Sequence, residues 1–166
     1  MSKTNKIFNI IYAFIVVLFF LDSLTSLNIK SQLLKSFVYF GLIVGTPVAL
    51  LWNVGTIKIV SRKIILSILP IAIIITILFV GPIRFMYSTG AWHTQTILYQ
   101  NGHSNFKKIE FQMQDVGSFG YNKRTVEVLY LTPLLMITND VPGDIEKKKE
   151  WIKVDKFINE LNLKVP

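Results

Sequence analysis

Residues 64–83 read IILSILPIAIIITILFVGPI, a run of twenty residues without a charge. A bilayer core about 30 Å thick is crossed by about 20 apolar helical residues, so this stretch predicts a membrane span. Two further intervals, 7–21 and 36–57, also lack Asp, Glu, Lys and Arg and are rich in Ile, Leu, Val and Phe. The sequence therefore predicts three transmembrane helices, at about 7–27, 36–54 and 64–83.

The first span has an alternative interpretation as a secretory signal peptide. Lys3 and Lys6 precede its apolar run, as basic residues do in such peptides. A cleavage site should show a pair of small residues, and the segment after Asp22 offers only weak Ser and Thr candidates. We expect a retained anchor, with Asp22 near one membrane face, where a charge costs less than at the centre.

Charge divides the chain into two parts. Residues 1–86 carry eight basic groups and one acid, whereas residues 87–166 carry ten basic and nine acidic groups. Basic residues beside apolar spans report orientation, and a nucleic-acid-binding protein would carry them on its folded tail. The sequence predicts a three-helix membrane region over 1–86, a soluble domain over 87–166, the lipid bilayer as partner and no nucleic acid.

The distribution of basic residues predicts the orientation of the chain. The N-terminus and the segment 53–63 hold five, and the opposite side holds Lys30, Lys35 and Arg84. Because cytoplasmic loops are enriched in Lys and Arg, we expect a cytoplasmic N-terminus and a tail on the other side. The composition is typical of bacteria, so we expect a multi-pass protein of the cell (inner) membrane whose C-terminal domain is periplasmic or extracellular.

Gly41 and Gly45, four residues apart in the second span, are the candidate helix-packing residues. Glycines at this spacing form a flat strip that another helix can approach closely. Packing within the chain is the favoured interpretation, and an oligomeric pore built through the same strip is a weaker one. No acid or base lies well inside a span, which disfavours a transporter or channel made of one copy.

The tail predicts an α+β domain. Residues 108–114 alternate polar and apolar side chains, as a half-buried strand does. Residues 124–132 alternate in the same way, and residues 94–100 are rich in Thr, Ile and Tyr and end at a turn. Residues 134–138 are a short fourth strand or a continuation, so the prediction is an antiparallel β-meander of three to four strands. Trp151, Val154, Ile158 and Leu161 recur at three- and four-residue steps, which predicts one C-terminal amphipathic helix over 145–162 that packs on the sheet.

The string GSFGYNKR, residues 117–124, is the most distinctive sequence in the tail. Glycines around an aromatic residue, then Tyr and two cations, suit an interaction loop, because Tyr and Arg are enriched at interface hot spots. A plain connection between strands, with glycines serving backbone geometry, is favoured over recognition. The possible interaction residues are Phe119, Tyr121, Lys123 and Arg124.

Candidates for chemistry are few. The chain has no cysteine and only two histidines, which excludes thiolate catalysis and disfavours a metal site. The weak polar candidates are His93, His103 and Asp115, each first expected to be an ordinary loop or surface residue. We therefore assign no catalytic residue, metal or cofactor.

Two functions stay open, of which a non-enzymatic one is favoured. In the first, the exocytoplasmic domain binds another membrane or envelope protein, as an envelope accessory or toxin-neutralising protein does. In the second, a membrane-bound enzyme acts on lipid or envelope substrates at the bilayer surface. The second requires His93, His103, Asp115 and Arg124 to converge on one pocket.

Overall fold

The computed structural model describes residues 3–80, 89–141 and 150–164. Within them lie three α-helices, α1 (Lys3–Leu24), α2 (Gln32–Thr56) and α3 (Val60–Val80). Each is long and apolar enough to cross a membrane, which agrees with the three predicted spans. The last residues of the third predicted span, 81–83, lie outside the described residues.

The chain divides into two compact units. The helical unit comprises residues 1–21 and 36–89, and the sheet unit comprises residues 22–35 and 90–166. The predicted domain boundary lay between residues 86 and 87. The structure adds to the sheet unit the segment 22–35, which joins α1 to α2.

Polar side chains inside the helical unit pair with one another. Asn9 of α1 and Asn53 of α2 exchange two hydrogen bonds, with Nδ2 to Oδ1 distances of 3.0 and 3.1 Å. Asn53 Nδ2 also donates to the backbone oxygen of Leu66 in α3, 3.2 Å away. Unpaired polar groups are costly in hydrocarbon, so this cluster satisfies the amides and joins α1, α2 and α3.

Gly41 and Gly45 lie on the side of α2 that contacts α1. A methyl group built at Gly41 would lie 3.4 Å from the Ile15 side chain, and one at Gly45 would lie 3.7 Å from the Tyr12 ring. The small residues let the two helices approach closely. The glycine strip is therefore in contact with a helix of the same chain.

The described part of the sheet unit forms one antiparallel sheet of six strands in the order β1-β5-β4-β3-β2-β6. A small sheet-containing unit beside long apolar helices agrees with the predicted architecture, but the predicted number of strands is wrong. The strands are β1 (Leu27–Ile29), β2 (Trp92–Asn101), β3 (Ser104–Asp115), β4 (Tyr121–Tyr130), β5 (Leu135–Asp140) and β6 (Trp151–Phe157).

The predicted C-terminal helix over 145–162 is wrong where the structure describes it. Residues Trp151–Phe157 form β6, an edge strand paired with β2, and residues 145–149 lie outside the described part. The segment is rich in Trp, Ile, Val and Phe, which suit strands as well as an apolar helix stripe. A short apolar pattern does not distinguish a helix from a strand. Pairing with β2 makes this segment a strand.

Strand β1 was not predicted, because it has only three residues and shows no alternating pattern of its own. It lies between α1 and α2 and pairs with β5, far along the chain. The linker between the first two helices is thus an edge strand of the tail's sheet.

Candidate functional site

One side of the sheet carries a buried mixture of polar and apolar residues, and we call it the inner face. Strand register places Glu110 opposite Val126 and Gln112 opposite Arg124, so these side chains point to the same side. The residues of the inner face used below are Trp92, Thr94, Glu110, Gln112, Arg124, Val126, Val128, Tyr130 and Met136.

Both sides of β3 are buried, although its alternation predicted a half-buried strand. Ile109 on the outer side is 0% exposed, and Glu110 and Gln112 on the inner face are 1% and 0% exposed. Val126, Val128 and Met136 form a buried apolar cluster on the inner face. The polar residues of β3 therefore share an interior with the apolar residues of β4 and β5.

The carboxyl group of Glu110 is the centre of the buried polar residues. Its Oε2 accepts hydrogen bonds from Thr94 Oγ1 at 2.7 Å, Tyr130 Oη at 2.9 Å and Gln112 Nε2 at 3.0 Å. A carboxyl group buried without donors would be strongly destabilising, so these bonds make its burial tolerable. Burial and the charge of Glu110 raise the pKa of Tyr130, which keeps its hydroxyl protonated as a donor.

Lys30 and Glu160 connect the two ends of the sheet. Lys30 follows β1 and Glu160 follows β6, and their side chains form an ion pair. Lys30 Nζ also donates to Thr94 Oγ1 at 2.9 Å, and the Thr94 backbone N–H donates to Glu160 Oε2 at 2.7 Å. Because β1 and β6 are at opposite ends of the strand order, the sheet must be strongly curled to bring these residues together.

Arg124 points into the inner face and not towards solvent. Its Cζ lies 4.0 Å from the centroid of the Trp92 ring, and its Nε and Nη2 donate to Gln112 Oε1 at 3.0 and 2.9 Å. Nη2 also donates to Asn28 Oδ1 of β1 at 3.0 Å. Burial lowers the pKa of Arg124 to about 10, which still leaves it charged at neutral pH. Its contacts make it a structural cation that joins β1 to β3 and β4.

Asp22 and Lys35 form a second ion pair, which is buried, in the segment that joins α1 to α2. Asp22 Oδ2 lies 3.2 Å from Lys35 Nζ, and the two side chains are 1% and 5% exposed. Asp22 Oδ1 also accepts the backbone N–H of Ile29 at 2.7 Å. This pair fixes both ends of the segment that carries β1.

The sheet unit contains a pocket of about 530 Å³ beside the Glu110 cluster. This volume lies in the range that small-molecule pockets occupy in proteins, about 300–1,000 Å³. Its polar lining includes Lys30, Thr94, Lys108, Glu110, Tyr130 and Glu160. Its apolar lining includes Ile97, Phe106, Leu131, Pro133 and Ile158.

The structure does not bring the four candidates of the enzyme hypothesis together. His93 is the second residue of β2 and His103 lies in the turn after this strand, roughly 30 Å away at the usual rise of a strand. Asp115, at the end of β3, lies at the same end of the hairpin as His93, whereas Arg124 is held on the inner face. None of the four lines the pocket.

His93 lies beside the Lys30–Glu160 ion pair, on the side of Glu160. Its Nδ1 lies 3.8 Å from Glu160 Oε2. Partial burial, and then the charge of Lys30, lower the pKa of His93, which favours the neutral imidazole at pH 7. This makes His93 a neighbour of the charged cluster but gives it no substrate-facing position.

Residues 116–121, which are the connection between β3 and β4 and the first residue of β4, form an ordered tip. The N–H groups of Val116 and Gly120 donate to the carbonyls of Gly120 and Gly117, each at 3.0 Å. Gly117 and Gly120 have φ values of 67° and 88°, which residues with a side chain rarely adopt. Phe119 and Tyr121 are 72% and 41% exposed on this tip.

Of the four predicted interaction residues, Phe119, Tyr121 and Lys123 are exposed and Arg124 is not. Alternation explains the difference, since Lys123 and Arg124 are neighbours on β4 and point to opposite sides. The predicted site residues did not include Lys30, Thr94, Glu110, Tyr130 and Glu160. For Glu110 the signal was the row of polar residues at 108, 110, 112 and 114, which is also what an exposed face shows.

Comparison with known protein families, curated proteins and solved structures gives no match to this chain. Among the residues that the structure describes, no group of three or more His, Cys, Asp or Glu is placed to hold a metal ion.

Proposed function

We propose that the protein is a membrane-anchored binding module whose sheet unit contacts another membrane or envelope protein through the β3–β4 tip. The observation that carries the proposal is the pair of exposed aromatic side chains, Phe119 and Tyr121, on a backbone ordered by turn hydrogen bonds. Aromatic residues are favoured at hot spots, and an ordered loop loses little entropy on binding. Exposed Lys123 beside them suits an acidic rim on the partner.

The path of the chain supports a threefold crossing of the bilayer. Three crossings return the segment between α1 and α2 to the membrane face from which the tail emerges. The β1–β5 ladder and the Lys30–Glu160 ion pair are consistent with that placement. The bias of basic residues towards the N-terminus and segment 53–63 supports an exocytoplasmic sheet unit.

The buried polar cluster supports a non-enzymatic role. Glu110, Arg124 and Lys30 are committed to hydrogen bonds and ion pairs within the chain. The enzyme alternative needed four side chains in one pocket, and these lie at different ends and faces of the sheet. The binding role is therefore the better supported of the two alternatives.

Site-specific photocrosslinking in intact cells tests the contact with a partner. A photoreactive phenylalanine analogue replaces Phe119 or Tyr121, and the same analogue at Phe157 is the matched control. Phe157 is also an exposed aromatic residue, 57% accessible, but it lies on the edge strand β6.

The proposal expects one discrete protein adduct from positions 119 and 121 and little of it from position 157. The variant Phe119→Ala should reduce capture of the same adduct from position 121 by about tenfold, as loss of a hot spot does. Adducts of equal yield from all three positions, or adducts only to the chain itself, would count against the tip as a binding surface.

A further inference from the structure

The lining of the pocket in the sheet unit includes both apolar side chains and charged groups. Ile97, Phe106, Leu131 and Ile158 provide apolar surface, and Phe106 is 66% exposed. A large exposed aromatic beside further apolar residues is unfavourable in water and suits an apolar ligand.

Most charged groups of the pocket already have partners. The Lys30 ammonium pairs with Glu160 and donates to Thr94 and to the backbone oxygen of Trp92, which uses its three hydrogens. Glu110 accepts from Thr94 and Tyr130. These groups form a satisfied surface and need no ligand.

Lys108 differs from the other charged groups of the pocket. Its Nζ lies 5.5 Å from the centroid of the Tyr130 ring, and within the described residues no carboxylate pairs with it. Asn105 lies in the same lining, and its Oδ1 accepts from Gln100 at 2.9 Å while its own Nδ2 finds no acceptor in the described chain. The pocket therefore presents a cation and an amide donor to a ligand.

The pocket is also close, along the chain, to a candidate membrane helix. Lys30 lines the pocket and is two residues before Gln32, the first residue of α2. Two residues span about 7 Å at most. Since α2 is long and apolar enough to cross a bilayer, amphiphiles of the membrane are the most available apolar ligands.

We propose that this pocket binds a single-chain amphiphile with an anionic head group, a carboxylate or a phosphate. Lys108 and Asn105 hold the head group, and the hydrocarbon chain contacts Phe106, Leu131 and Ile158. Among the described residues, the Lys108 ammonium shares its site with an aromatic ring and has no carboxylate partner, so it would gain most from an anionic ligand. This site is separate from the β3–β4 tip. Binding of an amphiphile in the pocket therefore does not depend on whether the tip binds a partner protein.

Photolabelling of the full chain in phosphatidylcholine nanodiscs tests the site. A diazirine-bearing palmitate is the probe, and labelled peptides are identified by mass spectrometry. Oleate, oleoyl lysophosphatidate and uncharged oleyl alcohol compete separately, so that carboxylate and phosphate head groups are compared with an uncharged one. We expect adducts on peptides containing Phe106 or Leu131, removed by at least one anionic competitor at about tenfold lower concentration than by the alcohol.

Two variants and a matched control locate the head group and the hydrocarbon chain of the ligand. Lys108→Gln should raise the concentration of anionic competitor needed by about tenfold. Lys107→Gln is the control, because Lys107 is the adjacent residue on the other side of β3 and pairs with Glu127 at 3.1 Å. Leu131→Trp, at a residue 49% exposed, should fill the pocket and remove labelling at Phe106 without disturbing the core.

Three results would overturn the proposal. Adducts confined to α1, α2 and α3 would place the probe in the bilayer alone. Equal competition by the alcohol and both anionic amphiphiles would remove head-group recognition. Equal behaviour of Lys108→Gln and Lys107→Gln would remove Lys108 from the site.

Discussion

The ammonium of Lys30 and the carboxylate of Glu160 form an ion pair between the linker of the first two helices and the segment after the last described strand. The pair lies where the two ends of a six-stranded sheet meet, as far as the chain is described. Thr94 contacts both partners, so one residue of β2 receives both ends of the curled sheet. The linker between two of the long apolar helices is in this way built into the fold of the tail.

Removing either partner of this pair should destabilise the sheet unit. Lys30 and Glu160 are 12% and 32% exposed, so the pair is only partly screened by water. We expect Lys30→Met or Glu160→Gln to lower the free energy of unfolding by about 2 kcal/mol, between the values for exposed and buried pairs. Denaturant unfolding in detergent, followed by tryptophan fluorescence, measures the change.

A double-mutant cycle separates the pair from its surroundings. The variant with both substitutions should be less destabilised than the sum of the single variants. Lys153→Gln is the control, because the Lys153–Asp155 pair is 63% and 54% exposed and should show no measurable effect. Strict additivity of Lys30→Met and Glu160→Gln would show that the two side chains do not act as a pair.

Glu110→Gln should destabilise the sheet unit although it keeps the shape of the side chain. The carboxyl oxygens receive donors from Thr94, Gln112 and Tyr130, and an amide would turn one acceptor into a competing donor. Leaving buried donors unpaired costs about 1–3 kcal/mol. Thermal unfolding measures this, with Asp155→Asn at a half-exposed position as the control. Equal stability of the two variants would contradict a central role for Glu110.

Stability should fall on the acid side because of His93. Its pKa in the folded chain is lowered by burial and by Lys30, so between that pKa and the ordinary 6.5 the unfolded chain binds more protons. The contribution of His93 to the free energy of unfolding is complete above about pH 7. It is lost progressively as the pH falls from 6.5 to the lowered pKa of the folded chain. Unfolding measured from pH 8 to 5 should show a smaller loss for His93→Gln than for the unaltered chain.

His103→Gln is the control for that pH profile, since His103 is an exposed turn residue at the other end of β2. It should leave the difference between pH 8 and pH 5 unchanged. A His93→Gln profile parallel to that of the unaltered chain would remove His93 as a contributor.

Gly41→Leu should destabilise the helical unit. A methyl group there already lies 3.4 Å from Ile15, so a larger side chain forces α1 and α2 apart and costs about 1–3 kcal/mol. Gly55→Leu is the matched control, because nothing lies within 4 Å of the methyl position at Gly55. Unfolding in a detergent series and light scattering measure stability and mass. Loss of an oligomer in Gly41→Leu, with unchanged stability, would favour the pore interpretation instead.

Single cysteines can map the crossing of the membrane, because the chain has none of its own. With three crossings, Cys introduced at Thr25 and at Lys123 should react with an impermeant maleimide from the same side. Cys introduced at Lys58, between α2 and α3, should react only from the other side. Labelling of all three positions from one side would contradict the threading.

Much of the helical unit could be predicted, because its signal is local. The charge-free runs mark α1, α2 and α3 whatever their neighbours are, and the spacing of Gly41 and Gly45 marks a face for close packing. In the tail, the alternation in 108–114 marked β3, and the glycines at 117 and 120 marked the tip that exposes Phe119. The burial of Glu110 gave no such signal, since a polar residue facing an interior and one facing water look alike in sequence.

The order of side chains along the chain was enough to determine which stretches suit hydrocarbon, where β3 alternates and where the backbone needs glycine, because hydropathy and backbone preference act over neighbouring residues. Only the tertiary structure decided that residues 27–29 are a strand, that Trp151–Phe157 extend a sheet and that Arg124 and Glu110 lie inside it. Those outcomes depend on hydrogen bonds and ion pairs between segments distant in sequence. Such partnerships form only when the sheet curls and brings its ends together.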